Sequence, residues 1–115
     1  MKRGSITSLL LFALACCTSP APNCPKDEPA SCPADVPSYA TVVGPLIQQY
    51  CGSCHDGSGS AADEPILTYA GLYPRRLDAL DELYECEMPM SPAPQPTLAD
   101  RVTILTWFIC GAPDN

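Results

Sequence analysis

Two cysteines and a histidine stand close together in the middle of the chain, as Cys51-Gly52-Ser53-Cys54-His55. This spacing places two thiols three residues apart and an imidazole directly after the second. Gly52 and Ser53 are small, so a bound group can lie close to the backbone here. His55 is the only histidine among 115 residues. Any site that the segment forms therefore has one imidazole from the chain, which excludes two-histidine ligation within one copy.

Several chemistries use a Cys-x-x-Cys pair. A thioredoxin-like redox pair belongs to a βαβ unit, and no such pattern surrounds Cys51. A zinc site takes further thiolates or imidazoles, and no second Cys-x-x-Cys exists; a structural disulfide beside a surface histidine is the plainest alternative. With histidine in fifth place, the motif is the attachment signature of c-type haem. We therefore expect a metal-binding protein with one haem c, covalently attached at Cys51 and Cys54 and ligated through iron by His55.

The second axial ligand has two candidates. Methionine is the usual partner of histidine in electron-transfer sites. Beyond Met1 the chain has only Met88 and Met90, on either side of Pro89. We expect one of them to ligate the iron and the other to fill space in the core.

The N-terminus predicts export. Lys2 and Arg3 precede an apolar run over 6–15, which is too short to span a membrane but suits a signal peptide. The run ends at Ala15-Cys16-Cys17 and resembles the lipobox of bacterial lipoproteins. Residues 1–16 are therefore expected to be a signal with lipidation at Cys16, or alternatively at Cys17; an ordinary secretory signal is the other interpretation. We expect the protein on the periplasmic side of the envelope, held to the membrane by a lipid anchor.

Residues 17–37 are predicted to be a proline-rich linker. Six of the residues in 18–37 are proline, and Val36 is the only large aliphatic one. Such a segment forms no core and is expected to be extended and semi-rigid, as a spacer between a membrane and a domain.

Charge and cysteine content bear on partners and compartment. Without Lys2 and Arg3 the chain has 4 basic against 13 acidic side chains, a net charge of −9. This charge repels nucleic acid and anionic lipid and suits a basic or neutral redox protein, although it also simply favours solubility. Eight cysteines indicate an oxidising compartment. The sequence sets no oligomeric state.

Residues 38–115 are predicted to be one all-α domain of three helical pieces. The first leads into the cysteine motif with Ser38 as its cap, and Pro45 either kinks this helix or begins its regular part. The second lies within 74–84, and the third begins at Thr97, with Asp100 completing a capping signal, and ends before Gly111 and Pro113. The apolar faces are Tyr39, Val42, Val43, Leu46, Ile47 and Tyr50 in the first piece, Leu77, Leu80, Leu83 and Tyr84 in the second, and Leu98, Val102, Ile104, Leu105, Phe108 and Ile109 in the third.

Three segments taken in order resemble the small bacterial class I-type cytochrome c domains. They are Pro45-Leu46-Ile47-Gln48-Gln49-Tyr50-Cys51-Gly52-Ser53-Cys54-His55, Met88-Pro89-Met90 and Trp107-Phe108-Ile109-Cys110-Gly111-Ala112-Pro113. In that family the methionine before the first proline is the axial ligand, which favours Met88 over Met90. This chain departs from the family pattern by having Met90 where a second proline would stand.

The remaining cysteines are expected to pair. Cys86 precedes the methionine loop and Cys110 closes the last helix, so a Cys86–Cys110 bridge would anchor that loop, and Cys24–Cys32 would close a small loop in the linker. Trp107 is expected to pack in the core, and Tyr50 and Tyr69 to form haem-cavity walls.

These expectations favour one-electron transfer by an electron carrier, not an enzyme. The alternatives are an open-site haem sensor or weak peroxidase, and a haem subunit of a larger exported redox complex.

Overall fold

The computed structural model describes residues 24–26 and 28–115, so the predicted signal peptide and lipidation at Cys16 or Cys17 lie outside the described residues. Within these residues the chain forms helices and no strand, which confirms the predicted helical class. Residues 28–37 carry no helix. None of the helices in this part of the chain has the length and apolar content needed to cross a bilayer.

The first helical segment carries the cysteine motif at its end. A π-helical turn, Tyr39–Val43, runs into helix α1, Gly44–His55. The Ser38 hydroxyl accepts a hydrogen bond from the Thr41 amide at 3.3 Å, as its predicted capping role requires. Pro45 stands in the first turn of α1, where its missing N–H costs nothing. The expectation that the regular helix begins near Pro45 is thus the correct one.

The middle of the chain contains a helix that the sequence did not predict. Helix α2 spans Tyr69–Leu72, a 3₁₀ turn spans Tyr73–Arg75, and α3 spans Arg76–Tyr84. Four residues are too few for a periodic pattern, which is why α2 escaped prediction. At Gly71 an added Cβ would lie 1.9 Å from the Pro65 carbonyl oxygen, so only glycine fits this close approach.

The predicted apolar face of α3 is correct except at its start. Leu83 is buried and Leu80 packs against the core, whereas Leu77 is 66% exposed. At 3.6 residues per turn, Leu77 lies about 120° around the helix from Leu83. A nine-residue helix buries one narrow face, and Leu77 falls outside it.

Helix α4, Leu98–Ile109, supplies the centre of the core. The Thr97 hydroxyl accepts from the Asp100 amide at 3.1 Å, which confirms the predicted cap. Leu105 and Trp107 are fully buried. The Trp107 indole N–H donates to the Pro113 carbonyl at 3.0 Å, so its predicted packing role is confirmed. Leu98 is 56% exposed and does not belong to the apolar face predicted for it.

Both predicted disulfide pairings are wrong. The structure joins Cys24 to Cys86 and Cys32 to Cys110, with Cα–Cα distances of 5.8 and 5.5 Å. The predicted pairs followed position along the chain, with Cys24 and Cys32 close together in the linker and Cys86 and Cys110 in the helical domain. The structure instead lays the described part of the proline-rich segment against the helices, so Cys24 and Cys32 each bond to a cysteine of the domain. Spacing along an irregular segment does not reveal where that segment lies.

A hydrogen bond joins α1 to α4 beside the cysteine motif. The Tyr50 hydroxyl donates to Asp100 Oδ2 at 2.6 Å, and the Tyr50 side chain is 6% exposed. The bond and burial raise the pKa of Tyr50, so it stays a neutral donor.

We expect Tyr50→Phe to lower the thermal midpoint by about 5 °C, because the ring remains but a charge-assisted hydrogen bond is lost. Circular dichroism melts measure this change. Tyr73→Phe is the matched control, since that ring is partly exposed. Equal midpoints for the two variants would contradict the prediction.

Candidate functional site

A cavity of about 570 Å³ lies beside the cysteine motif, within the size range of cofactor sites. Its walls come from helices α1 to α4, the 3₁₀ turn and the loops between them. Apolar side chains dominate one part of the lining: Ile47, Tyr50, Ile66, Leu72, Leu83, Ile104 and Phe108. Polar groups at the cavity include four acidic residues and one basic residue, namely Asp63, Glu64, Asp78, Glu82 and Arg75.

The two cysteines of the motif lie on the last turn of α1 and both line this cavity. They are the two free cysteines of the described residues, whereas the other four are paired. Burial, with a smaller contribution from the Cys54 thiol, raises the pKa of Cys51 to about 11. A catalytic redox cysteine has a lowered pKa, because the thiolate is the nucleophile. Cys51 is therefore poorly suited to thioredoxin-like exchange.

The thiol of Cys51 should react slowly with alkylating reagents. With its pKa raised from 9.0 to about 11, its thiolate fraction near pH 8 falls about 100-fold below that of an ordinary cysteine. We expect the rate of iodoacetamide labelling, in chain that carries no cofactor, to keep rising through pH 10. Peptide mass mapping follows Cys51, and the same chain in urea is the control. Equal rates in both conditions at pH 8 would show that the site is not preformed.

His55 is the last residue of α1 and also lines the cavity. Its side chain is 9% exposed, and Nδ1 lies 2.9 Å from the Glu64 carbonyl oxygen. A carbonyl oxygen only accepts, so Nδ1 carries the proton. In the neutral ring this leaves a lone pair on Nε2. A backbone carbonyl on one nitrogen is the usual way in which a ligating histidine is oriented and its tautomer set.

The polar loop after the motif places Glu64 over His55. Asp56 Oδ1 accepts from the Ser58 amide, the Ser58 hydroxyl and the Gly59 amide, each at 2.9 Å. These bonds, first of all that from the Ser58 amide, lower the pKa of Asp56. At Gly59 an added Cβ would lie 2.5 Å from the Cys54 carbonyl oxygen. The loop thus folds back onto the motif only because residue 59 is glycine.

Both candidate methionines line the cavity on the loop between α3 and α4. Met88 is partly buried, and Met90 is 59% exposed. The structure therefore brings Cys51, Cys54, His55 and both methionines to one cavity. Tyr50 lines this cavity, whereas Tyr69 does not: its hydroxyl donates to the Ala112 carbonyl at 3.0 Å.

No protein-family model, curated protein or solved structure matches this chain. The interpretation of the cavity therefore depends on its own side chains.

The expectation of a metal-binding protein is wrong for a metal ion held by protein ligands. In the part of the chain that the structure describes, no group of three or more His, Cys, Asp or Glu side chains could hold a metal ion. The chain has one histidine, and four of the six cysteines in this part are in disulfides. The lack of such a group does not exclude haem binding. In a haem protein the porphyrin supplies the equatorial nitrogens, and the chain supplies only axial ligands.

Two residues at the site escaped the sequence analysis. The Glu64 carbonyl belongs to the backbone and carries no sequence signal of its own, although the Asp-Gly-Ser-Gly run at 56–59 indicates a tight loop after the motif. Arg75 has no sequence motif that marks it as a site residue. Its Nη1 donates to the Gly71 carbonyl at 3.1 Å, which holds the partly buried side chain at the cavity.

Proposed function

We propose that this chain is an exported monohaem c-type cytochrome of the small class I type, which transfers single electrons between protein partners. The observation that carries the proposal is the His55 tautomer: Nδ1 is held by the Glu64 carbonyl while the ring lines a cavity shared with two free cysteines. The partial shielding of Met88, against the exposure of Met90, supports Met88 as the second axial ligand.

The cavity residues fit covalently attached haem. Cys51 and Cys54 are one helical turn apart on α1, and both thiols are unpaired. Each thiol would add across one vinyl group, with sulfur bonding one carbon and the proton going to the other. His55 Nε2 would supply the proximal ligand. Arg75 is the one arginine among the lining residues, none of which is lysine, and is the candidate partner for the propionate carboxylates.

Haem supplies reversible one-electron oxidation and reduction of its iron when bound. The chain's own residues hold the axial imidazole in one orientation and exclude water with the apolar wall around Leu72 and Ile104. The four acidic side chains at the cavity disfavour an anionic partner and suit a redox protein with a basic surface. The two disulfides agree with an oxidising compartment, and we propose that the chain acts on the periplasmic side, held by its lipidated N-terminus.

The experiment is production of the full chain in a host that matures c-type haem. Intact mass and absorption spectra of the oxidised and reduced protein are then measured. We expect one haem per chain, resistant to acid-acetone extraction, and a low-spin spectrum. A chain that carries no covalent haem after export would overturn the proposal.

An open-site haem protein is the second candidate function, and Arg75 is the observation that favours it. A peroxidase uses a positioned acid–base or cationic side chain near its iron, and Arg75 lies at the cavity. Rapid carbon monoxide binding by the reduced protein, together with a high-spin oxidised spectrum, would favour this function over electron transfer.

A further inference from the structure

Arg101 is buried on α4 between the end of α3 and the N-terminal segment. Although it is charged, only 5% of its surface is exposed. Its guanidinium donates to the carbonyl oxygens of Leu83 and Tyr84, the last two residues of α3, and to that of Pro25. Carbonyls at a helix C-terminus lack partners within the helix, and a cation there is favourable. Arg101 thus holds two separate backbone segments at one point.

The turn that follows α3 leads directly to Met88. The amides of Glu87 and Met88 both donate to the Glu82 carbonyl, at 2.9 and 3.1 Å. Cys86 has a φ of 60°, in the left-handed region where a helix usually ends in glycine. Any side chain other than glycine costs free energy here, so a cysteine at this position indicates that its thiol is required.

Three consecutive residues of the N-terminal segment hold this turn. Cys24 is bonded to Cys86, the Pro25 carbonyl accepts from Arg101 at 2.8 Å, and the Lys26 ammonium pairs with the Glu85 carboxylate. A second cleft is lined by Cys24, Pro25, Cys86, Arg101 and both methionines. Met88 therefore lies between this cleft and the main cavity, since it lines both.

We propose that Arg101 and the Cys24–Cys86 disulfide position Met88 for the iron, so that the segment before the helical domain is part of the sixth-ligand site. The inference rests on the proposed function. This positioning role differs from a purely stabilising one. If the Cys24–Cys86 disulfide only stabilised the fold, its removal would affect iron ligation by Met88 no more than removal of the Cys32–Cys110 disulfide does. Arg101 is a positioning residue in this scheme and does not itself contact the cofactor.

The test compares the two disulfides in full chain matured with haem. Cys24→Ser/Cys86→Ser is the test variant, and Cys32→Ser/Cys110→Ser is the matched control, because neither Cys32 nor Cys110 lines the cavity or the cleft. The readouts are the weak absorption band near ~695 nm of His/Met ligation and the rate of carbon monoxide binding, beside haem content and thermal midpoint. We expect the test variant to lose most of the band and to bind carbon monoxide about tenfold faster.

Arg101 is tested in the same way with a graded pair of substitutions. Arg101→Gln removes the charge, whereas Arg101→Lys keeps it but loses the forked donor geometry. We expect Arg101→Gln to lose more of the band than Arg101→Lys, and wild type to keep it fully. Arg101→Lys is the mildest change and carries the test if another variant does not fold.

The outcomes separate the two proposals. Absence of covalent haem from the wild-type chain overturns the proposed function. Two results overturn only the positioning role, provided that haem is present in every variant. One is that Cys24→Ser/Cys86→Ser keeps the band, and the other is that the control variant loses the band equally. The positioning role is also overturned if the Met88→Ala variant keeps the band of the wild-type protein, because Met88 would then not be the ligand.

Discussion

The variant Cys51→Ser/Cys54→Ser is expected to contain no covalently attached haem. Both thiols lie on the last turn of α1 at the cavity and are the free cysteines of the described residues. A serine hydroxyl does not form the thioether, so haem content should fall from one per chain to none, and the mass should equal that of the same processed chain without haem. Intact mass spectrometry of protein secreted by a haem-maturing host measures this loss.

Ser53→Ala provides the control for this loss. Ser53 lies between the two cysteines and is exposed, so its replacement tests whether any change in the motif abolishes attachment. We expect Ser53→Ala to keep a full complement of haem. Haem that survives extraction in the double serine variant would contradict the assignment of these thiols and return the motif to an ordinary structural role.

The variant Met88→Ala should lose the ~695 nm band of the oxidised protein and have a reduction potential lower by on the order of 100 mV or more. Methionine stabilises the reduced iron relative to water or a harder ligand, so its loss lowers the potential. Met90→Ala is the control, since Met90 is 59% exposed and is expected to leave both properties unchanged. Spectroelectrochemical titration measures the potential and the band in one experiment.

The reverse result, with the band lost in Met90→Ala alone, would transfer the ligand role to Met90. Absence of the band from the wild-type chain, with a potential that neither substitution changes, would exclude both methionines as ligands. The protein would then match the open-site candidate, and carbon monoxide binding should already be fast in the wild-type chain.

Local signals predicted the ends of the long helices well. Ser38 and Thr97 cap their segments as expected, and Pro45 stands in the first turn of α1. Each of these features depends on neighbouring residues alone, which is why a sequence pattern suffices. The same patterns failed at Leu77, because the helix face that is buried depends on what packs against it.

The candidate site divides in the same way. The sequence was enough to identify Cys51, Cys54 and His55 as candidate site residues, because the Cys-x-x-Cys-His motif is defined by spacing along the chain. It could not supply the Glu64 carbonyl that orients His55, because a backbone oxygen is present at every residue and only the loop's path selects one. Arg75 likewise became a site residue only when α2 and the 3₁₀ turn brought it to the cavity.

The disulfides separate the features that local sequence predicts from those that depend on the tertiary structure. By itself the sequence determined a helical domain, the cysteine–histidine motif and the two candidate methionines, because these follow from spacing and local hydrogen bonding. Only the tertiary structure joined Cys24 to Cys86 and Cys32 to Cys110 and laid Pro25 against Arg101. Those contacts connect residues more than 60 positions apart, and a proline-rich segment has no periodicity to record which surface it meets.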